Sequence, residues 1–408
     1  AQSCWAAWAA DTQISADGGY VAYDSDGYSL TAPGTPYESA LDQNGGFDVF
    51  LYNRTADTNA IVSRYVAGSG GVTAFGDISS PYRSMSADGR YVAFTSSSLS
   101  LVSGFVAPTD GGGNATHVFR WDRTTGLVIL IDRAAGTTAT PGNGAASRPW
   151  ISADGQYVAY ASSASNIVGE SGGTFLFDAQ LNTTTVVAGS ASPAAISADG
   201  RYVFFLSSAG NTIAGLTNGG TSALFRWDRE NPAATILLSH SAGSTTNVAN
   251  AAVDERISIS ADGRYALFMS SGTNFVAGQS DANGGNDVFR YDTETRTALL
   301  VSHAAGSATT TGDVDSFVDG RDQLSDDGRF VAYQSRSTNL MAGVSDNSFS
   351  YDAYLFDAQA GTNTLLSHPA SSATTAVNSG QISLSADGRY VGFSSGASVV
   401  VAGQVGLG

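Results

Sequence analysis

The chain has 408 residues, enough for two or three ordinary domains or one large repeat array, and its 36 acidic against 19 basic residues leave a formal net charge of −17. Lys is absent, so every basic residue is a scattered Arg; nucleic acid, which needs clustered positive charge, is excluded as a partner. No apolar run approaches the roughly 18 residues that span a bilayer, and the single cysteine, Cys4, excludes an intrachain disulfide framework, leaving a free thiol or an intermolecular bridge.

The first residues, "AQSCW", carry no initiator Met and no basic leader, which reads as a mature chain after signal-peptide removal and predicts a secreted, periplasmic or cell-surface protein. Gly is abundant at 48, Pro sparse at 9, and no stretch of eleven or more residues places apolar side chains at helical spacing. The prediction is an all-β chain.

In chain order, an Asp-Gly pair returns at Asp17-Gly18, Asp88-Gly89, Asp154-Gly155, Asp199-Gly200, Asp262-Gly263, Asp327-Gly328 and Asp387-Gly388. Each sits between two β-rich runs, as in "RISIS" and "RYALF" around 262, which marks a tight hairpin because Gly accepts positive φ and Asp bonds the local backbone. A third, aromatic run follows, as in "DVFLYNR" (48–54), "HVFRWDR" (117–123) and "DVFRYDT" (287–293), and then a fourth, as in "TALLVSH" (297–303). Seven units of four antiparallel strands, none able to bury both faces alone, predict a seven-bladed β-propeller spanning 1–408 as a single domain.

The repeated Ser-x-Asp-Gly hairpin with its aromatic strand resembles the TolB-like family of bacterial β-propeller repeats, over almost the whole chain. That resemblance implies the propeller fold and little about function, since relatives include periplasmic binding partners, propeller domains of peptidases and polysaccharide lyases. The seventh unit stops at "VVVAGQVGLG", before any third or fourth strand. The expectation is an incomplete last blade whose natural chain continues; the alternative is an open edge completed by strand addition from another chain, with self-association through it or through Cys4.

Antiparallel connections alternate sides. The short hairpins and the short turns after the third strand therefore share one face, and the long loops share the other, where binding is expected. Immediately before the third strand those loops read "DQNGGFD" (42–48), "DANGGND" (281–287) and "DNSFSYD" (346–352). Carboxylate, amide, Gly and carboxylate at offsets zero, two, three and six, degenerate in the third loop, where Ser348 and Phe349 take the middle places, can wrap oxygen ligands around calcium, giving the candidate ligands Asp42, Asn44 and Asp48; Asp281, Asn283 and Asp287; and Asp346, Ser348 and Asp352. The competing reading is that the same side chains pin the loop to its strand by side-chain-to-backbone turns.

His240, His303 and His368 end "LLSH", "LVSH" and "LLSH", one repeat position that predicts packing or capping in place of a metal site. Ser171 in "GESGG" matches a nucleophile elbow in letters alone, because a strand and no helix follows it. The expected function is a non-catalytic binding or assembly module with a protein or glycan on the long-loop face. The alternatives are a lyase-type, polysaccharide-active enzyme and a subunit of an extracellular polymer.

Overall fold

The computed structural model describes residues 9–25, 47–63, 84–98, 101–105, 115–217, 220–320, 322–346, 350–397 and 400. The chain divides into two compact units, Ala1–Phe205 and Leu206–Gly408. The division falls inside the strand Tyr202–Ser207. Among the described residues the fold is all-β apart from one turn of 3-10 helix at Pro232–Ala234.

The described residues form seven successive antiparallel sheets, each a meander of strands consecutive in sequence: five have four strands, the second has three and the seventh two. This is the repeating blade of a β-propeller, as the sequence predicts. In the fifth sheet, Tyr265–Ser270 pairs in full register with Asp287–Asp292, and Phe268 stands opposite Phe289. The equivalent rings stack in other sheets, with centroids 5.7 Å apart for Phe94 and Phe119 and 5.8 Å for Tyr333 and Tyr354. Such pairs add roughly 0.5–1.5 kcal/mol beyond the area they bury.

Within each unit the apolar core lies between neighbouring sheets. Ala22, Val49 and Leu51 of the first sheet pack with Val92, Phe94 and Phe119 of the second, and Leu267 and Val288 of the fifth pack with Val331, Tyr333 and Phe356 of the sixth. The middle strands are therefore covered on both faces, which is why they read as almost unbroken apolar runs.

The Ser-x-Asp-Gly hairpin carries the connections between sheets. Ser86 Oγ donates to Asp88 Oδ1 at 2.7 Å and accepts the Tyr91 N–H at 2.9 Å, while Asp88 Oδ1 also accepts the Arg90 N–H at 3.0 Å. The serine bonds recur in all seven hairpins. The residue after the serine faces outward along the chain of hairpins: the Ala87 N–H donates to Ala153 O and the Ala153 N–H to Ala198 O, both at 2.8 Å. In the second unit, Asp326 N–H donates to Ala386 O at 2.8 Å.

Two of the hairpin glycines show why no other residue serves. Gly155 has φ +72°, and a Cβ there would lie 2.1 Å from Cδ2 of Tyr91 in the preceding sheet; Gly328 has φ +71° and would meet Tyr265 Cδ2 at 2.1 Å. The same tyrosine is capped on its face by an Arg of the third strand, Arg120 at 4.2 Å and Arg290 at 3.7 Å, whose guanidinium then donates to the hairpin glycine carbonyl, Gly155 O and Gly328 O.

Gly155→Ala and Gly328→Ala are expected to cost about 2–4 kcal/mol each, combining left-handed strain with overpacking. Gly126→Ala is the control. Its φ is +70° with nothing within 4 Å of the added methyl, so only the strain of roughly 1–2 kcal/mol remains. Denaturant melts of the three variants check this, and equal losses would show that the close approach to tyrosine contributes nothing.

Candidate functional site

On the side opposite the hairpins, the third strand opens at one repeated position. It is held by Asp48, His117, Gly173, Ala223, Asp287 and Asp352 in the first six sheets. The three carboxylates are fully buried. Burying a carboxylate is costly unless its oxygens are satisfied, and one satisfying group is a serine just beyond the fourth strand. In the fifth sheet, Ser302 Oγ accepts the Val288 N–H at 3.0 Å and donates to Asp287 Oδ1 at 3.1 Å. Ser63 does the same for Val49 and Asp48, and Ser367 for Ala353 and Asp352.

The second sheet exchanges the two roles. Asp132 occupies the serine position, accepts the Val118 N–H through Oδ1 at 2.8 Å, and its Oδ2 pairs with His117 Nδ1 at 2.8 Å. Burial pushes the Asp132 carboxyl up while His117 pulls it down. This serine position escaped the sequence reading, although the letter is visible before each histidine in "LLSH", "LVSH" and "LLSH".

The loop that precedes the strand is held by its neighbour. Ser280 forms a parallel bridge with Thr310 of the connection to the next sheet, and Ser345 forms one with Thr375. Directly after Ser280, Asp281 Oδ1 accepts the N–H groups of Asn283 and Gly284 at 3.0 and 3.1 Å and the Thr311 hydroxyl at 3.4 Å. Asn283 Oδ1 accepts the Gly285 N–H, and its amide nitrogen donates to Gly312 O at 2.6 Å and Val314 O at 3.3 Å. Asn283 thus braces two loops, and Asp281 forms the side-chain-to-backbone turn that the sequence offers as the alternative to metal binding.

One oxygen of each acid stays outside these bonds. Asp281 Oδ2, Asp287 Oδ2 and Asp352 Oδ2 are buried without a hydrogen-bond partner. Burial, then the negative charges of Asp281 and Asp315, push the Asp287 carboxyl up to about 8 against the Ser302 hydrogen bond. Burial and then Asp346 raise Asp352 to about 7. Asp346 is half-buried beside Asp352, whereas Asp42, Asn44 and Ser348 lie outside the described residues, as does Cys4. Among the described residues, no three of His, Cys, Asp or Glu gather at metal-ligating distance, so the unit of this site is the pair.

Above the fifth-sheet pair, the loops enclose a polar groove of about 570 Å3 lined by Ser271, Asn283, Asn286, Asp313, Asp315 and Arg336, among others. Arg336 Nε donates to Asp315 Oδ1 at 2.7 Å, Tyr351 Oη donates to Asp315 Oδ2 at 2.9 Å, and the guanidinium carbon lies 5.3 Å from the Tyr351 ring centre. Asp313 accepts the Thr338 N–H and hydroxyl at 2.8 and 2.6 Å. The groove therefore presents carboxylate, amide and guanidinium groups already held in place.

The histidines have packing roles, as their repeat position predicts. His240 Nδ1 donates to Ser241 O at 3.0 Å, its Nε2 bonds Tyr291 Oη at 2.8 Å, and its ring meets the Tyr291 ring edge-on. His303 Nδ1 donates to Ala304 O and its ring meets Phe356 of the next sheet edge-on; His368 Nδ1 donates to Pro369 O. Ser171 sits on an exposed loop that runs straight into the strand Gly173–Asp178.

In chelator-treated protein, Asp287 and Asp352 hold a proton more tightly folded than unfolded, where Asp titrates near 3.9. Their contribution to stability is therefore full below about pH 4 and lost as pH rises toward about 8. We expect Tm to fall between about pH 5 and pH 8 and Asp287→Asn to flatten that fall; a profile unchanged by the substitution would show that this carboxyl is not a source of the pH dependence.

No family model matches the chain, and no curated protein does. Among solved structures it is similar to TolB from Acinetobacter baumannii, at 15% identity and a TM-score of 0.39 over 85% of this chain and 63% of that one, so less than two thirds of that protein's length is spanned. It is also similar to an oligogalacturonate lyase in complex with manganese, at 10% identity and a TM-score of 0.47 over 93% and 83% of the two chains. An oligogalacturonate lyase from Vibrio parahaemolyticus aligns at 11% identity and a TM-score of 0.46 over the same shares.

Proposed function

We propose that the protein is a binding module without catalysis of its own, working outside the cytoplasm and taking a hydroxyl-rich glycan at the loop ends of the fifth and sixth sheets. The observation that carries this reading is the groove lined by Asn283, Asn286, Asp313, Asp315 and Arg336. Sugar hydroxyls both donate and accept, and the groove offers each kind of partner side by side: carboxylates that accept, a guanidinium that donates, and amides that do both.

Preorganisation supports it. Arg336 is fixed by Asp315 below and Tyr351 beside it, and Asn283 is fixed by the carbonyls of Gly312 and Val314, so little side-chain freedom is left to lose on binding. The histidines that a proton-abstracting enzyme would recruit are engaged in contacts with neighbouring strands. No helix among the described residues is long and apolar enough to cross a membrane.

Calorimetric titration against a panel of neutral and acidic oligosaccharides tests the reading. One class should bind, and Arg336→Ala and Asn286→Ala should each weaken it by roughly tenfold, the equivalent of about 1.4 kcal/mol for a lost charged or neutral hydrogen bond. Binding of an extracellular protein with no glycan affinity would move the partner class to protein. Release of unsaturated ends from a uronate polymer would replace the reading with the lyase.

A further inference from the structure

The strand-opening acid and the loop acid travel together in the repeats. Asp48, Asp287 and Asp352 each have an Asp six residues earlier, at Asp42, Asp281 and Asp346, whereas His117, Gly173 and Ala223 have Gly111, Ile167 and Thr217 there. A loop turn alone would not require the buried acid, and the buried acid alone would not require the turn. Something engages both.

The geometry of the fifth sheet narrows what that is. Asp287 is fully buried and spends Oδ1 on Ser302; Asp281 spends Oδ1 on two backbone N–H groups and Thr311. Each is left with a buried Oδ2 that accepts from no donor, and the two acids act on each other through charge, with no hydrogen bond between them. Two carboxyl oxygens without a donor, at the base of a loop held by its neighbour, suit a hard cation, which displaces the proton, binds oxygen and tolerates a shell completed by carbonyls and water. In the sixth sheet Asp352 is likewise fully buried, but there Asp346 hydrogen-bonds to it, so a shared proton can join that pair and the argument rests on the fifth sheet.

We propose that the fifth-sheet pair, Asp281 with Asp287, holds one hard divalent cation between its carboxylates, with the remaining coordination supplied by backbone carbonyls and water. The ion neutralises the buried acids and locks the loop before the third strand onto the strand that follows. The fifth-sheet ion lies beneath the groove, since Asn283, two residues from Asp281, lines it. The inference does not depend on what the groove binds.

The test counts calcium on chelator-stripped protein dialysed against calcium chloride at about pH 8, where proton competition is weak, by elemental mass spectrometry alongside thermal melts. The expected result is about one equivalent of calcium per chain from this loop, a Tm that climbs with each tenfold increase in free calcium, and the loss of that equivalent in Asp287→Asn. Circular dichroism confirms that the variants fold; if Asp287→Asn does not, the half-buried Asp281→Asn must show the same loss of one equivalent. The proposal is overturned if no calcium is retained, if the count is the same in the variants, or if Asp287→Asn raises Tm while calcium leaves the wild-type melt unchanged, which would show that a proton is the natural occupant.

Discussion

The contact on which the rest depends is the meeting of one hairpin with the next. A serine hydroxyl closes the turn by bonding the aspartate and the strand that follows, which frees the intervening residue's N–H to bond the next hairpin's carbonyl. Gly89, Gly155, Gly200, Gly328 and Gly388 then lie flat against the tyrosine or phenylalanine of the preceding sheet, at a distance no side chain permits. Backbone hydrogen bond, ring contact and guanidinium cap act on the same few atoms, so the spacing of neighbouring sheets is set at this end and the apolar clusters between the sheets fill the space that it defines.

Fixing one end leaves the other available. The hairpin side is short because it must repeat a close contact, whereas the loop side can vary in length as long as its backbone groups find partners. They do so through the parallel bridges at Ser280 and Ser345 and through reciprocal bonds such as Asn250 with the Thr273 backbone and Asn274 with the Asn250 backbone. The loops around these residues are therefore braced, and the groove with Arg336 and Asp315 inherits that order. Beneath it, the acids at the start of the third strand are deep enough that their ionisation is set by the neighbouring charges as much as by solvent, which links the state of the buried pair to the shape of the surface above.

Part of the site was readable in letters. The Asp-x-Asn spacing places Asp281, Asn283 and Asp287 together, and the structure brings the two acids into one electrostatic environment. What the letters do not convey is the division of labour: Asn283 turns its amide to a loop some 30 residues on, and Ser302, 15 residues past Asp287, supplies the bond that holds it. Arg336 as a groove residue and Tyr351 as its support were invisible for the same reason, since both meet Asp315 across separate connections. The exchange of Asp and Ser for His117 and Asp132 in the second sheet is legible only once the two positions are known to touch.

The sequence by itself determined the all-β class, the seven hairpins, the order of strands within each unit and the sidedness of short and long connections, because these follow from local turn chemistry and from apolar periodicity within a few residues. It also determined which acids stand six apart before a strand. Only the tertiary structure decided which of their oxygens are satisfied, which partner satisfies them and which polar groups converge on the groove. Those outcomes rest on contacts between residues far apart in the chain, where distance and burial, rather than residue type, decide whether a carboxylate is a turn, a brace or a site.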